Sequence, residues 1–554
     1  MKLPAPKLPP YDIAEWQRLP FAERLKKACQ AWAIDGYGTP VSVYAFYLLK
    51  VGLYVGVWLL FCSMSKGLGG PGAIGHWWSS PEALKKAVLW SMAFEGLGLG
   101  CGSGPLTGRY VPPFAAALHF ARPGTVRLPL FPQVPLLGGN ARTYLDAGLY
   151  ITHLVFLFRA LAAPEITISM LIPVAVILPV LALRDKTIFL ASRGEHYYSV
   201  LLCMLAPAAF VAGAKSVWLA IWFWAATSKL NLHFPSVVCV MTSNSPVLSF
   251  PWLRKRMYQG FPDDLRPSAL AKWMAHGGTI VEYIFPLLLA MGTGGPLTRV
   301  GLVVMLVFHL YITSNVPMAV PIEWNVIMVY GAFVLFGGHA EVRAWELGSL
   351  PLAVYLAVAL LVLPLAGNLF PRFLSFLVSM RYYAGNWAYG VWLFKGDSAK
   401  KLDRGIVKIA PAVDDQLKLF YDHLTIVAVL SKLPAFRAMH LHGRALREIL
   451  PRAVDDIEAY TWLDGEVVAG LVLGWNFGDG HLHDEALIRA VQERCHFEPS
   501  ELRCILVEAQ PLGKPDLAWR IVDAHDGERE RGRIAVRGLT DKQPWPDLPE
   551  KNAA

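Results

Sequence analysis

Eight ionisable side chains fall inside or at the edge of long apolar runs: Lys50, Glu95, Asp146, His153, Arg159, Lys229, Glu282 and His309. A charge held away from water is costly, so such residues face a bundle interior or a wet cavity and pair with one another. Lys229 is the sharpest case. It closes the run Trp222-Phe223-Trp224-Ala225-Ala226-Thr227-Ser228, and Asn231, His233 and Pro235 follow at once. A lysine in an apolar pocket is disfavoured in its charged form and can serve as a base, with His309 as a proton carrier near neutrality. Kept charged, the same ammonium would bind a lipid phosphate or carboxylate. Either chemistry needs a partner, and Glu95 or Glu282 is the expected one. Asp146 and His153 share a helix face. Lys50 and Arg159 read as long side chains reaching for headgroups.

Two polar, proline-broken stretches lie beside apolar runs: Met241–Pro246, with Asn244, and Asn315–Asn325, with Glu323. Non-helical backbone at membrane depth is tolerated only against protein or a watery cavity, so both are candidate site walls. The expected binding set is Lys229, Glu282, His309, Glu95, Asp146, His233, Asn244, Glu323 and Asn325, with Lys229, Glu282 and His309 as catalytic candidates should the protein be an enzyme. The cluster Arg381–Tyr389 reads as an aromatic-basic interfacial belt, or as the lining of a headgroup site.

The elements that must position these residues are membrane helices. Of 554 residues, 55% are hydrophobic and 17% charged, with mean hydropathy +0.40. Soluble chains carry about 25% charged residues. Spans need about 20 apolar residues, and ten segments are candidates: 41–63, 86–100, 144–163, 166–184, 197–213, 215–230, 275–293, 297–314, 322–338 and 350–370. Residues 1–39 form an arm in which Ile13–Ala33 is expected as an interfacial helix, with Leu25 and Trp32 toward lipid. Residues 40–394 make the transmembrane domain. A soluble α/β domain follows at 395–540, with strands expected at 467–473 and 504–507 and helices at 414–425 and 484–494. Residues 541–554 are expected to be disordered. The fold class is thus mainly α, a polytopic bundle with a C-terminal α/β domain. Lys and Arg concentrate in the loops 101–143, 185–196 and 231–274 and after the last span, which puts both termini in the cytoplasm of an inner-membrane protein.

Other chemistries lack their motifs. The seven cysteines form no CxxC pair. His481, His483 and Asp484, and the pair His440 and His442, have no partner at metal-ligand spacing, so no metal and no cofactor is expected. The glycine-rich stretches 67–75 and 96–104 do not match a phosphate loop, and no nucleophile elbow or nucleic-acid motif occurs. The net charge of +9 points to anionic headgroups.

Ala225-Ala226-Thr227-Ser228-Lys229-Leu230-Asn231, followed by Glu282 with Pro286–Leu289 and by Phe308-His309-Leu310, resembles the horizontally transferred transmembrane domain superfamily, which includes the vitamin K-dependent gamma-carboxylases. That resemblance implies Lys229 as a base. Trp32–Pro40, His233–Pro235, Met241–Pro246, Pro262–Ser268, Asn315–Asn325 and Tyr382–Trp387 look like a bacterial transmembrane family of unassigned biochemistry, with polar growth factor A among its mycobacterial members. This broader resemblance implies a cell-envelope role in trafficking of trehalose monomycolate beside a lipid exporter. The leading expectation is binding or trafficking of an envelope lipid or glycolipid. The alternatives are a membrane enzyme modifying a lipid or quinone, and a scaffold for envelope-growth proteins. A homo-oligomer is compatible with any of these. No nucleotide-binding motif is present, so transport would be passive, ion-coupled or driven by a partner.

Overall fold

The computed structural model describes residues 4, 6–100, 109, 111–112, 114–248, 250–315, 322–374, 381–477 and 481–546. Parts of several expected features lie outside the described residues: 101–104 of a glycine-rich stretch, 316–321 of the proline-broken loop, 375–380, 479–480, and 547–554 of the C-terminal tail.

Among the described residues six helices are long and apolar enough to cross a membrane: Val41–Ser63, Tyr144–Ala162, Pro207–Ser228, Ala269–Met291, Pro296–Thr313 and Leu350–Leu369. Proline opens several of them, where a missing N–H costs nothing. The expectation of ten spans is not confirmed. Pro81–Gly96 has only 16 residues, and Ala83–Gly96 is buried apart from Lys85. A helix apolar all round packs inside a bundle rather than against lipid. Ile168–Arg184 and Ile322–Gly338 are shorter apolar helices, and the expected segment 197–213 breaks after Met204, ahead of Pro207. A seventh span is counted only if His423–Ala438 and Leu441–Ala453, bent by 96°, are joined.

Buried cations tie the helices at one end. The Nζ of Lys86 donates to the carbonyls of Phe61 (2.8 Å), Leu161 (2.8 Å) and Ala163 (2.9 Å). A lysine suits carbonyls left unpaired where helices stop.

The other end meets the tail. There the segment 389–395, expected inside the transmembrane domain, is a strand of a five-stranded antiparallel sheet. The strand order is Tyr460–Asp464, Tyr389–Lys395, Leu502–Val507, Asp516–Asp523, Gly527–Ala535. The sheet of the tail therefore includes residues before 395. One sheet face carries Trp392, Phe394, Cys504 and Leu506 into a core shared with Phe120, Leu181 and Ile188 of the bundle. The other carries Val391, Leu393, Ile505 and Ile521 into a core shared with the arm. Residues 467–473, expected as a strand, belong to the helix Gly465–Leu473. Asp464 caps it by accepting from Glu466 N–H (2.8 Å), and Gly474 ends it at φ +81°. The helix expected at 414–425 is split into Val413–Leu417 and His423–Leu430, the second capped by Asp422. The helix expected at 484–494 runs Glu485–Cys495.

The apolar side of the arm helix packs on protein. Leu25, Cys29 and Trp32 of the helix Phe21–Asp35 are buried in the core with Phe436. Trp32 and Phe436 are 5.3 Å apart, and the Trp32 indole donates to Val240 O (3.1 Å). A polar tip satisfied by protein favours the inside over the interface. The chain leaves this helix at Gly36, φ +63°, where a Cβ would lie 2.6 Å from Asn244 Cα. Residues 543 and 545, expected to be disordered, are also docked: Gln543 accepts from Leu265 N–H (3.0 Å), and Trp545 is buried.

The arm precedes the first span and the tail follows the last, yet they share one core, an arrangement that requires a common side of the membrane for both and is open to test. The loops with the Lys and Arg excess reach the same end. Asn140 O accepts from Arg494 (3.0 Å), His481 O from Lys186 (3.1 Å) and Asp263 from Gln30 (3.0 Å). Cysteines placed at exposed Leu8 and Leu419 should therefore label with a membrane-impermeant maleimide from the same face of sealed vesicles. The described native cysteines are buried and contribute little background. Labelling from opposite faces would contradict the shared core.

Candidate functional site

The span Pro207–Ser228 stops at Lys229, whose N–H is spent on Ala226 O (3.0 Å). A cation is favoured at a helix C-terminus. Asn231 then starts the next helix, its Oδ1 accepting from the N–H groups of His233 (2.7 Å) and Phe234 (3.2 Å), with Pro235 in the first turn. The Lys-Leu-Asn triplet thus ends one helix and begins another, which turns the lysine inward.

Lys229 Nζ donates to Glu282 Oε2 and lies 5.4 Å from the centroid of the Phe234 ring and 5.5 Å from that of Phe308. A carboxylate and two ring faces together attract an ammonium. Glu282 comes from the middle of Ala269–Met291, on the face that also carries Met274 and Gly278. His309, on Pro296–Thr313, is held at both nitrogens. Its Nε2 accepts from the Trp222 indole N–H (3.1 Å), and its Nδ1 donates to Asn325 Oδ1 (2.8 Å). One nitrogen accepting and the other donating describes a neutral ring with its proton on Nδ1. Lys229, Glu282, His309 and Asn325 are between 3% and 6% exposed.

These four residues line a cavity of about 160 Å³. Its side walls are apolar: Ile221, Val237, Met241 and Met328. Its roof comes from the tail, with Tyr382, Trp387, Phe436 and His440. A buried ion-pair network holds the roof. Arg437 donates to Asp464 (2.7 Å) and Glu466 (2.6 Å), and Glu466 also accepts from the Trp387 indole (3.0 Å) and Tyr382 hydroxyl (3.3 Å). Burial pushes the Glu466 carboxyl up to about 7, against the pull of Arg437. Behind Trp387 lies a histidine cluster. His442 stacks on the indole (5.5 Å, 18°), and His233 packs on His442 (4.8 Å) while bonded to Gln510 (2.9 Å).

Of the expected binding residues, the structure brings together Lys229, Glu282, His309 and Asn325. It places the others elsewhere. Glu95 faces Arg193 (3.6 Å) rather than Lys229. Asp146 caps its own helix through Thr143 and pairs with Arg184 (2.5 Å) and Arg127 (3.5 Å). Glu323 meets Lys50 (3.2 Å), so Lys50 turns inward instead of toward headgroups. Asn244 accepts from Tyr37 N–H (3.0 Å) and donates to Asn315 O (3.2 Å), latching the arm. His233 belongs to the histidine cluster. His153 is buried, with neither ring nitrogen hydrogen-bonded among the described residues. Among the described residues no three His, Cys, Asp or Glu side chains are placed to hold a metal.

Sequence reasoning missed His440, Phe436 and Gly278 as cavity residues, and Arg437 with Glu466 as supports. The Tyr382–Trp387 cluster was the available signal for the roof. No spacing rule links it to Lys229 across so many residues.

A family model described as "Transmembrane protein of unknown function (DUF3556)" matches residues 1–553. The chain belongs to that family. No curated protein and no solved structure matches the chain.

Two measurements test the site. Lys229→Met leaves Glu282 buried without its cation, which should cost about 3–5 kcal/mol and lower the thermal midpoint of purified protein. Lys229→Met/Glu282→Met should recover most of the loss, and equal loss in both variants would mean the two residues are not energetically paired. The second is pH dependence. Burial lowers His233 to about 4 and His440 to about 3 from the ordinary value of 6.5, with the cations Arg437 and Arg444 adding to the effect at His440. Below about pH 6.5 the unfolded chain binds protons that the folded one refuses, so these groups make stability fall as pH drops from 7 to 5. Glu466, raised in the fold, pulls the other way over that window. The midpoint of His440→Gln should therefore fall less than that of the unsubstituted protein between pH 7 and 5, and identical slopes would overturn this.

Proposed function

We propose that this member of a transmembrane family of unknown function binds an amphiphile, an envelope lipid or glycolipid, in the cavity between bundle and tail. The observation that carries the reading is an apolar-walled cavity with a paired lysine and carboxylate and a neutral histidine set into it. Such a lining, mostly apolar with a few fixed polar groups, is that of a small-molecule site. A sugar or phosphate group would exchange hydrogen bonds with Lys229, Glu282 and Asn325, and an acyl chain would lie along Met241, Met274 and Met328. Methionine is suited to a flexible chain of variable shape. Gly278 is half-buried and lines the cavity, with no atom within 4 Å of where a Cβ would stand. It marks a notch on a helix whose outer side, at Ile280, Ile284 and Leu287, is exposed. That notch is the proposed entry from the bilayer.

The enzyme alternative is less well supported. A general base needs a free lone pair, whereas Lys229 contacts a carboxylate and both nitrogens of His309 are in use. On this reading the tail and arm are cytoplasmic, because the basic loops gather at their end. Handover of the lipid to an exporter or to envelope-growth proteins would then occur from the cavity.

The test is lipid carried through purification. Full-length protein extracted from its own membrane should retain a defined lipid, identified by native mass spectrometry and lipid extraction. Gly278→Phe, which fills the notch without meeting other atoms at its Cβ, should lose that lipid while keeping its thermal midpoint. Absence of a specific lipid from the unsubstituted protein, or unchanged retention in Gly278→Phe, would sink the proposal.

A further inference from the structure

A second site stands apart from the cavity, on the edge hairpin of the tail. Strands Asp516–Asp523 and Gly527–Ala535 pair with Arg520 directly opposite Arg531 and Ala518 opposite Arg533. The three arginines share one sheet face, since residues two apart and directly opposed residues point the same way. Like charges placed directly opposite are destabilising, so this arrangement needs compensation. Part of it is visible: Arg520 pairs with Glu485 and Arg531 with Glu528. Arg533 has no acidic partner among the described residues.

A fourth cation closes the cleft. Arg372 follows the last span, Leu350–Leu369, and lines the same space as Arg520, Arg531 and Arg533, a cleft of about 310 Å³. Arg372 also has no acidic partner among the described residues. The two acids of the lining are already committed. Glu508 accepts from His481 (2.9 Å), and Asp484 caps the helix Glu485–Cys495 by accepting from Ala486 N–H (3.0 Å). With Arg520 and Arg531 paired to Glu485 and Glu528, the cations of the cleft that have no acidic partner among the described residues are Arg372 and Arg533.

The surroundings fix its position. Phe370 is 60% exposed and Phe373 81%, on either side of Arg372 at the end of the span. Exposed phenylalanine rings beside an arginine at a span end suit the boundary where the hydrocarbon gives way to headgroups, the rings toward the acyl chains and the guanidinium toward the polar layer. The cleft therefore opens at the membrane surface on the tail's side. Planar guanidinium forks match phosphate oxygens in pairs and are weakly hydrated, which makes arginine the better phosphate ligand at such a boundary.

We propose that this cleft binds the phosphate of an anionic phospholipid in the leaflet facing the tail, with Arg372 and Arg533 as its free donors. The site docks the hairpin onto the membrane and compensates the opposed arginines. It does not depend on the cavity being a lipid site.

The experiment uses full-length protein in the Gly278→Phe background, so that the central cavity does not contribute. Phosphatidylglycerol and phosphatidylcholine are offered in equal amounts, and retention is read by native mass spectrometry, with thermal midpoints recorded alongside. Preferential retention of phosphatidylglycerol is expected, with loss of that preference in Arg372→Gln/Arg533→Gln. Arg404→Gln, which removes an exposed arginine of the tail outside the cleft lining, should leave it intact. An unchanged preference in the double variant would overturn the proposal, as would equal loss in Arg404→Gln. Displacement of phosphatidylglycerol by millimolar inorganic phosphate would also overturn the lipid assignment, because the cleft would then be a site for free phosphate.

Discussion

The buried contact between Lys229 and Glu282 is the constraint around which the central region is arranged. An ion taken out of water loses solvation worth several kcal/mol, and a single partner returns that only with good geometry. Here the geometry is supplied from four directions. The span Pro207–Ser228 ends at Lys229, whose backbone N–H goes to Ala226 O. The Ala269–Met291 helix brings the carboxylate, and Phe234 and Phe308 present ring faces. No one of these helices could hold the lysine alone. The pair therefore requires their mutual packing, and the cavity is the space left where they meet the tail.

The tail is part of the same device, not an appendage. Its Arg437–Asp464–Glu466 network is buried as deeply as the pair below it and fixes Tyr382 and Trp387 over the cavity. Both faces of its central strands are covered, one by the bundle and one by the arm. Shifting the tail would open two cores at once. At about 25 cal/mol per Å² of apolar surface, exposing either core is expensive. The cavity is thus roofed by an element that is stable where it lies, and on the proposed reading a ligand would enter at the notch at Gly278.

What was legible in the sequence was local. The Lys-Leu-Asn triplet, the isolated Glu282 and His309, and the apolar segments each carry their own signal, because a charge in an apolar run must be accommodated. Pairing was legible only as a short list. Glu95 and Glu282 were equal partners for Lys229 on sequence, and the fold separated them by giving Glu95 to Arg193. The ten-span count is not confirmed where an apolar segment is short and buried in protein, as in Pro81–Gly96. The run Val467–Leu473 was read as a strand because a short apolar segment fits either element, although Asp464 and Gly474 bracket it as helix signals. The arm was read as amphipathic toward lipid. Its apolar side in fact meets Phe436, and periodicity alone does not reveal which apolar surface a helix will choose.

His309 argues most directly for what the cavity is built to do. A proton carrier must exchange its proton, so at least one nitrogen must reach substrate or water. Here Trp222 donates to one nitrogen and Asn325 accepts from the other, and both contacts come from bundle helices. Releasing either would leave a buried polar group unpaired, at about 1–3 kcal/mol. The histidine is therefore a strut that fixes the Trp222 and Asn325 walls relative to each other, with its neutral ring set against the ammonium of Lys229. A second charge at that position would oppose the lysine and weaken its pairing with Glu282. An arrangement that keeps one cation, one carboxylate and one neutral ring at fixed places is suited to holding a polar group still, which supports the proposed binding over proton transfer.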